Sequence, residues 1–88
     1  MPIKTSARFD EHYERLPRLV QLKVDKALRF LDADFRHPGL RSHPVQRHPG
    51  VFEAYVDDKY RMTFERQGDV FIMRNVDNPF DKLKDKPR

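Results

Sequence analysis

Val51-Phe52-Glu53-Ala54-Tyr55-Val56, Tyr60-Arg61-Met62-Thr63-Phe64-Glu65 and Val70-Phe71-Ile72-Met73-Arg74 are three short runs that alternate with period two. Such alternation marks strands with one face in a core and the other outward. Asp57-Asp58-Lys59 and Gln67-Gly68 supply turns between them, so the three runs predict an antiparallel meander. Asking both hairpins to keep their apolar residues on one face sets the register. A three-residue loop over 57–59 pairs Phe52 with Phe64 and Ala54 with Met62. A turn at 67–68 pairs Phe64 with Phe71 and Met62 with Met73, and lays Arg61 opposite Arg74 on the outward face.

Working towards the N-terminus, residues 36–50 are interrupted by Pro38, Pro44, Pro49, Gly39 and Gly50. A strand around 41–47 is expected, confined to an edge because Pro44 cannot donate to a neighbour. Before it the spacing is helical. Ser6 is a capping residue whose oxygen can accept an orphan N–H. Phe9, Tyr13 and Leu16 then share one face. Pro17 ends that helix and suits the first position of a second. Val20, Val24, Ala27, Leu28 and Leu31 give the second helix an apolar stripe, and it is expected to reach about Phe35. Pro2–Thr5 reads as a short first strand. The fold class predicted is α+β: a two-helix hairpin packed on one face of a small twisted antiparallel sheet, in the order β-α-α-β-β-β. Residues 1–88 form one domain.

Eighty-eight residues can bury about 64% of the surface an extended chain exposes, enough for a single thin core. There is no cysteine. That excludes a disulfide framework, a thiolate nucleophile and a cysteine-ligated zinc site, and makes a reducing cytoplasm the expected setting. No apolar run approaches the length of a membrane span, and Met1-Pro2-Ile3-Lys4 lacks the apolar stretch expected of a signal peptide. The net charge of +4 hints at an acidic partner. No glycine-rich phosphate loop, Gly-x-Ser-x-Gly or His-Glu-x-x-His motif occurs, so neither a cofactor nor a metal is expected.

The outward face carries the candidate chemistry. Two arginines set opposite each other repel unless an anion lies between them, and guanidinium forks match phosphate oxygens two at a time. Tyr55 can stack on a base. Glu53 can move a proton or orient an arginine. A solvated face with an ordinary Arg–Glu pair is the alternative. The stretch Arg36–His48 holds three arginines and three histidines and no acid, as a phosphate contact would. Its His43 and His48 can act as acid or base near neutral pH. An ordinary polar connection would look similar. The tail, with Lys82 and Lys84, is either a frayed end or a second phosphate contact.

Leu16-Pro17, Val24-x-x-Ala27-Leu28, His37-Pro-Gly-Leu-Arg41, Val51–Val56, Lys59–Phe64 and Gly68–Asp77 together resemble the RelE/ParE toxin superfamily, over about residues 2–84. The most specific element is the Tyr60-Arg61 strand after a short hairpin. The resemblance implies a toxin of a type II toxin–antitoxin system, bound by a cognate antitoxin protein. For RelE-type members it implies metal-independent cleavage of mRNA on the ribosome, with RNA on the sheet face away from the helices. ParE-type members share the fold and inhibit DNA gyrase. Arg61 matches the phosphate-binding strand arginine. Arg74, Glu53, His43 and His48 are the other expected catalytic groups. Tyr55, Arg41, Arg47, Lys59, Lys82 and Lys84 are the expected RNA contacts. Where many relatives place a His-Asp or His-Tyr pair after the last strand, this chain has Pro79-Phe80, which favours the alternative of a binding-only or gyrase-directed toxin.

Overall fold

Ser6 and Pro17 divide the N-terminal half as their chemistry dictates. In the computed structural model, which describes residues 2–79, β1 (Ile3–Thr5) leads into α1 (Ala7–Glu14), and α2 follows over Arg18–Ala33. The Ser6 hydroxyl accepts the Phe9 N–H at 3.1 Å and caps α1. Pro17 sits one residue earlier than expected, as the cap of α2, where its carbonyl accepts from Val20 and Gln21. The Tyr13 hydroxyl donates to Asp25 at 2.7 Å and ties the two helices together. The second helix ends at Ala33 because Asp34 turns extended. Phe35 still reaches the core, 5.7 Å from the Phe71 ring and 6.4 Å from that of Phe52.

A single 3-10 turn at Pro38–Leu40 leads to β2 (His43–Pro44), β3 (Val51–Tyr55), β4 (Arg61–Gln67) and β5 (Val70–Asp77). The sheet order is β1-β5-β4-β3-β2. Strands β2 to β5 are antiparallel, with the short proline-bearing β2 at an edge. The first strand runs parallel to β5, with Ile3 beside Phe71. The sheet is therefore mixed, not wholly antiparallel as expected. A three-residue strand carries no directional signal in its sequence, whereas the long crossover through both helices supplies the connection that a parallel pair needs.

The β3–β4 register is the expected one: Phe52 faces Phe64 and Ala54 faces Met62. The β4–β5 register differs. Gly68 has φ +59°, and with Asp69 it forms the turn, so Gln67 pairs with Val70. This moves the hairpin two residues along β5, placing Met73 beside Phe64. Thr63 then pairs with Asn75, leaving Arg74 as the extra residue of a β-bulge. Arg61 consequently lies opposite Asp77, and the Arg61–Arg74 pairing does not form. The bulge has a packing cause. Strict alternation after Met73 would turn Val76 outward, whereas the extra residue returns it to the core, 1% exposed.

The core lies between the helices and the inner sheet face. Phe9, Val24, Leu31, Leu40, Ala54, Met62, Phe64, Phe71, Met73 and Val76 pack there. No buried polar or charged residue occurs among the described residues. No helix among them is long and apolar enough to cross a membrane.

Candidate nucleic-acid interface

Because β3, β4 and β5 turn Phe52, Ala54, Met62, Phe64, Phe71 and Met73 inward, their alternate residues make the outer face. Tyr55, Arg61 and Asp77 form one row across it, and Glu53, Thr63 and Asn75 the next. An open groove of about 690 Å³ runs over this face. Glu53, Thr63, Glu65 and Arg74 line it from the sheet, Arg8 from α1 and His48 from the loop after β2. The loop is held against the sheet through Val51, whose N–H donates to the His48 carbonyl and whose carbonyl accepts from Val45.

Beside the groove is a tighter cluster. The Arg61 guanidinium carbon stands 3.7 Å from the centre of the Tyr55 ring, and that of Arg41 stands 5.1 Å from it. Stacking of this kind is favourable and fixes both partners. Arg61 also donates through Nη1 to the carbonyls of Asp57, at 2.6 Å, and Tyr60, at 3.1 Å. The guanidinium is thereby tied to the end of the β3–β4 hairpin while the residue stays half-exposed.

That hairpin end is itself anchored by Asp57. Its carboxylate accepts from the Lys59 and Tyr60 N–H groups and from Lys23 Nζ at 3.2 Å. Burial opposes the Asp57 charge, but the Tyr60 and Lys59 N–H groups and the Lys23 ammonium outweigh it and hold the carboxyl below its ordinary value.

On the other side of Tyr55, Arg41 adopts the left-handed conformation with φ 49°, which costs a non-glycine residue about 1 kcal/mol. Its carbonyl accepts from His43 Nδ1 at 2.8 Å. A carbonyl can only accept, so Nδ1 carries a hydrogen and Nε2 is the nitrogen free to exchange a proton. His43 Nε2 lies 3.5 Å from the Glu53 carboxylate. The imidazole and the carboxylate thus meet through Nε2, the geometry that passing a proton between them would need.

Arg61, Tyr55, Arg41, His43 and Glu53 thus come together, while Glu53, His48 and Arg74 share the groove. Arg74 is paired with Glu65 at 3.8 Å rather than with Arg61. Beside these cations the face carries Glu53, which was expected there, and also Glu65 and Asp77. Arg47 and Lys59 are exposed on loops and do not line the groove. Lys82 and Lys84 lie outside the described residues. Sequence reasoning missed Arg8, Ser6 and Glu65. Glu65 shares the parity of Arg61 and Thr63 and was legible, whereas Arg8 and Ser6 reach the groove only through the packing of α1 against β5. Among the described residues no group of three or more histidines and carboxylates could hold a metal ion.

Two helices on one face of a five-stranded mixed sheet is a fold this chain shares with solved RelE, YoeB/ParE and YafQ toxin structures. A chain of the RelB-RelE antitoxin-toxin complex from Methanococcus jannaschii superposes with a TM-score of 0.77 at 13% identity, covering 96% of this chain and 99% of that one. The YoeB/ParE toxin from Agrobacterium tumefaciens gives 0.75 at 12% identity over 89% of this chain and 98% of its own. YafQ from E. coli gives 0.71 at 14% identity over 92% and 96%. No family model matches the sequence. No curated protein matches it either.

Proposed function

We propose that this protein is the toxin of a type II toxin–antitoxin system and cleaves mRNA on the ribosome with the outer face of its sheet. The observation that carries the reading is the Arg61–Tyr55–Arg41 stack set beside the His43–Glu53 pair. Cations and an aromatic ring suit a single-stranded RNA, whose phosphates and unstacked bases are both accessible. The neighbouring structures include RelB-RelE and DinJ-YafQ complexes, which supports a cognate antitoxin as the partner of this chain too.

RNA cleavage can proceed by attack of a 2′-oxygen on the adjacent phosphorus. A base removes the 2′-hydroxyl proton, the P–O5′ bond breaks as the new P–O2′ bond forms, and an acid protonates the leaving 5′-oxygen. Arg61, aided by Arg41, would stabilise the charge that develops on the phosphate. Glu53 would take the proton, and protonated His43 would return one through Nε2. His48 and Arg74 would contact the strand along the groove, and Tyr55 would position a base or sugar. Arg47, Lys59, Lys82 and Lys84 would make outlying phosphate contacts.

A second reading is a toxin that acts by binding alone, as a gyrase inhibitor would. Pro79-Phe80, in the place where many RelE-type relatives carry a His-Asp or His-Tyr pair, favours it. The two are separated by incubating the protein with programmed ribosomes and, separately, with gyrase and supercoiled DNA. Cleavage within the A-site codon supports the first, and gyrase inhibition without cleavage supports the second.

A further inference from the structure

We infer that Ser6, outside every group considered so far for catalysis, is a positioning residue that aims Arg74 into the groove; this rests on the reading of the groove as an RNA site. Arg74 is the extra residue of the β5 bulge, and a bulged residue has no partner across the ladder to fix its direction. The missing constraint comes from the other side of the strand. Ser6 N–H donates to the Met73 carbonyl at 3.0 Å, and Ser6 Oγ donates to the Arg74 carbonyl at 3.1 Å. Together they clamp the carbonyls on either side of the Arg74 Cα, where the register shifts. Ser6 and Arg74 both line the groove, with Arg74 directed to Glu65.

The same hydroxyl accepts the Phe9 N–H, so it caps α1 as well. The two duties are separable by chemistry. Glycine is nearly as good a cap as serine but has no hydroxyl to donate, whereas threonine can do both. A residue that acted only as a cap would therefore be replaceable by glycine without consequence at Arg74.

The experiment compares wild type, Ser6→Gly, Ser6→Thr, Arg74→Ala and the double variant Ser6→Gly/Arg74→Ala. The first readout needs no ligand: the Arg74 Nε–Hε resonance and amide exchange of Arg74 and Asn75 in the free protein. Ser6→Gly should shift that resonance and speed exchange locally, and Ser6→Thr should restore both. An unchanged resonance and unchanged exchange in Ser6→Gly overturn the proposal, whatever the protein binds. The second readout is affinity for a 12-nucleotide single-stranded RNA as a function of salt. Arg74→Ala and Ser6→Gly should each weaken binding several-fold and lower the salt slope by about 1, the signature of one lost phosphate contact. The double variant should be no worse than either single one, since both remove the same contact. Additive losses overturn the positioning role. Wild type and Arg74→Ala binding equally well would instead count against the groove as an RNA site, and leaves the free-protein readout to decide Ser6.

Discussion

The Arg61 guanidinium and the Tyr55 ring lie 3.7 Å apart on neighbouring strands of the outer sheet face. They are directly opposed in the β3–β4 ladder, so the contact follows from a register that the core enforces: Ala54 and Met62 are opposed on the next, inward rung. The site therefore inherits its geometry from the core beneath it.

Arg61→Ala should reduce RNA cleavage by about a hundredfold or more, the usual cost of losing one donor that stabilises developing charge. Stability should fall by only about 1 kcal/mol, because the residue is half-exposed and loses hydrogen bonds to two carbonyls. Arg61→Lys should not rescue activity, since an ammonium reproduces neither the stack nor the fork. Unfolding of Arg61→Ala in circular dichroism would assign the residue a structural role.

Asp57 should make the hairpin acid-sensitive. Its carboxyl titrates lower in the folded protein than its ordinary value of 3.8. The stabilisation is thus fully present above that value and is lost as pH falls through the lower folded one. Denaturant unfolding should find Asp57→Ala less stable than wild type at pH 7, with the gap narrowing at pH 3. An equal gap at both values would contradict the assignment.

Phe64→Ala should cost about 3–5 kcal/mol, since a fully buried ring is removed from the centre of the sheet. For a domain this small, that loss approaches the whole stability. Native-like unfolding midpoints in this variant would show that the core lies elsewhere.

At Gly68 a new methyl group would meet nothing within 4 Å, yet the backbone sits at φ +59°. Gly68→Ala should therefore destabilise by about 1 kcal/mol through conformation alone. Gly68→Asn should cost less, because asparagine tolerates that region. Equal unfolding midpoints for the alanine variant and wild type would refute the turn geometry.

Much of this was legible in the sequence. The parity of Phe52, Ala54, Met62 and Phe64 fixed one hairpin to the residue, and the stripe from Val20 to Leu31 fixed the face of the long helix. What periodicity could not reveal was the extra residue at Arg74. A bulge breaks the alternation on which the reading depends, and its cause, the return of Val76 to the core, is tertiary. The Arg61–Arg74 pair is lost first to the turn at Gly68-Asp69, which moves the hairpin two residues along β5, and then to the bulge, which adds a third, while the parts of Ser6 and Arg8 depend on the packing of α1 against β5. By contrast, Tyr55, Glu53 and Arg61 share a face whenever the strands form, and they were found. The proximity of Arg41 and His43 to them depends on the left-handed conformation at Arg41; Pro38-Gly39 marks a turn nearby, but position 41 itself is neither glycine nor asparagine.

RNA cleavage by the His43–Glu53 pair and Arg61 is the activity proposed for the outer face. It is tested most directly by mapping the ends of an mRNA on programmed ribosomes after incubation with wild type, Glu53→Gln, His43→Gln and Arg61→Ala. Wild type should cut within the A-site codon, and all three variants, each still folded, should lose most of that cutting. Intact mRNA with folded wild-type protein, or undiminished cutting by Arg61→Ala, would contradict it.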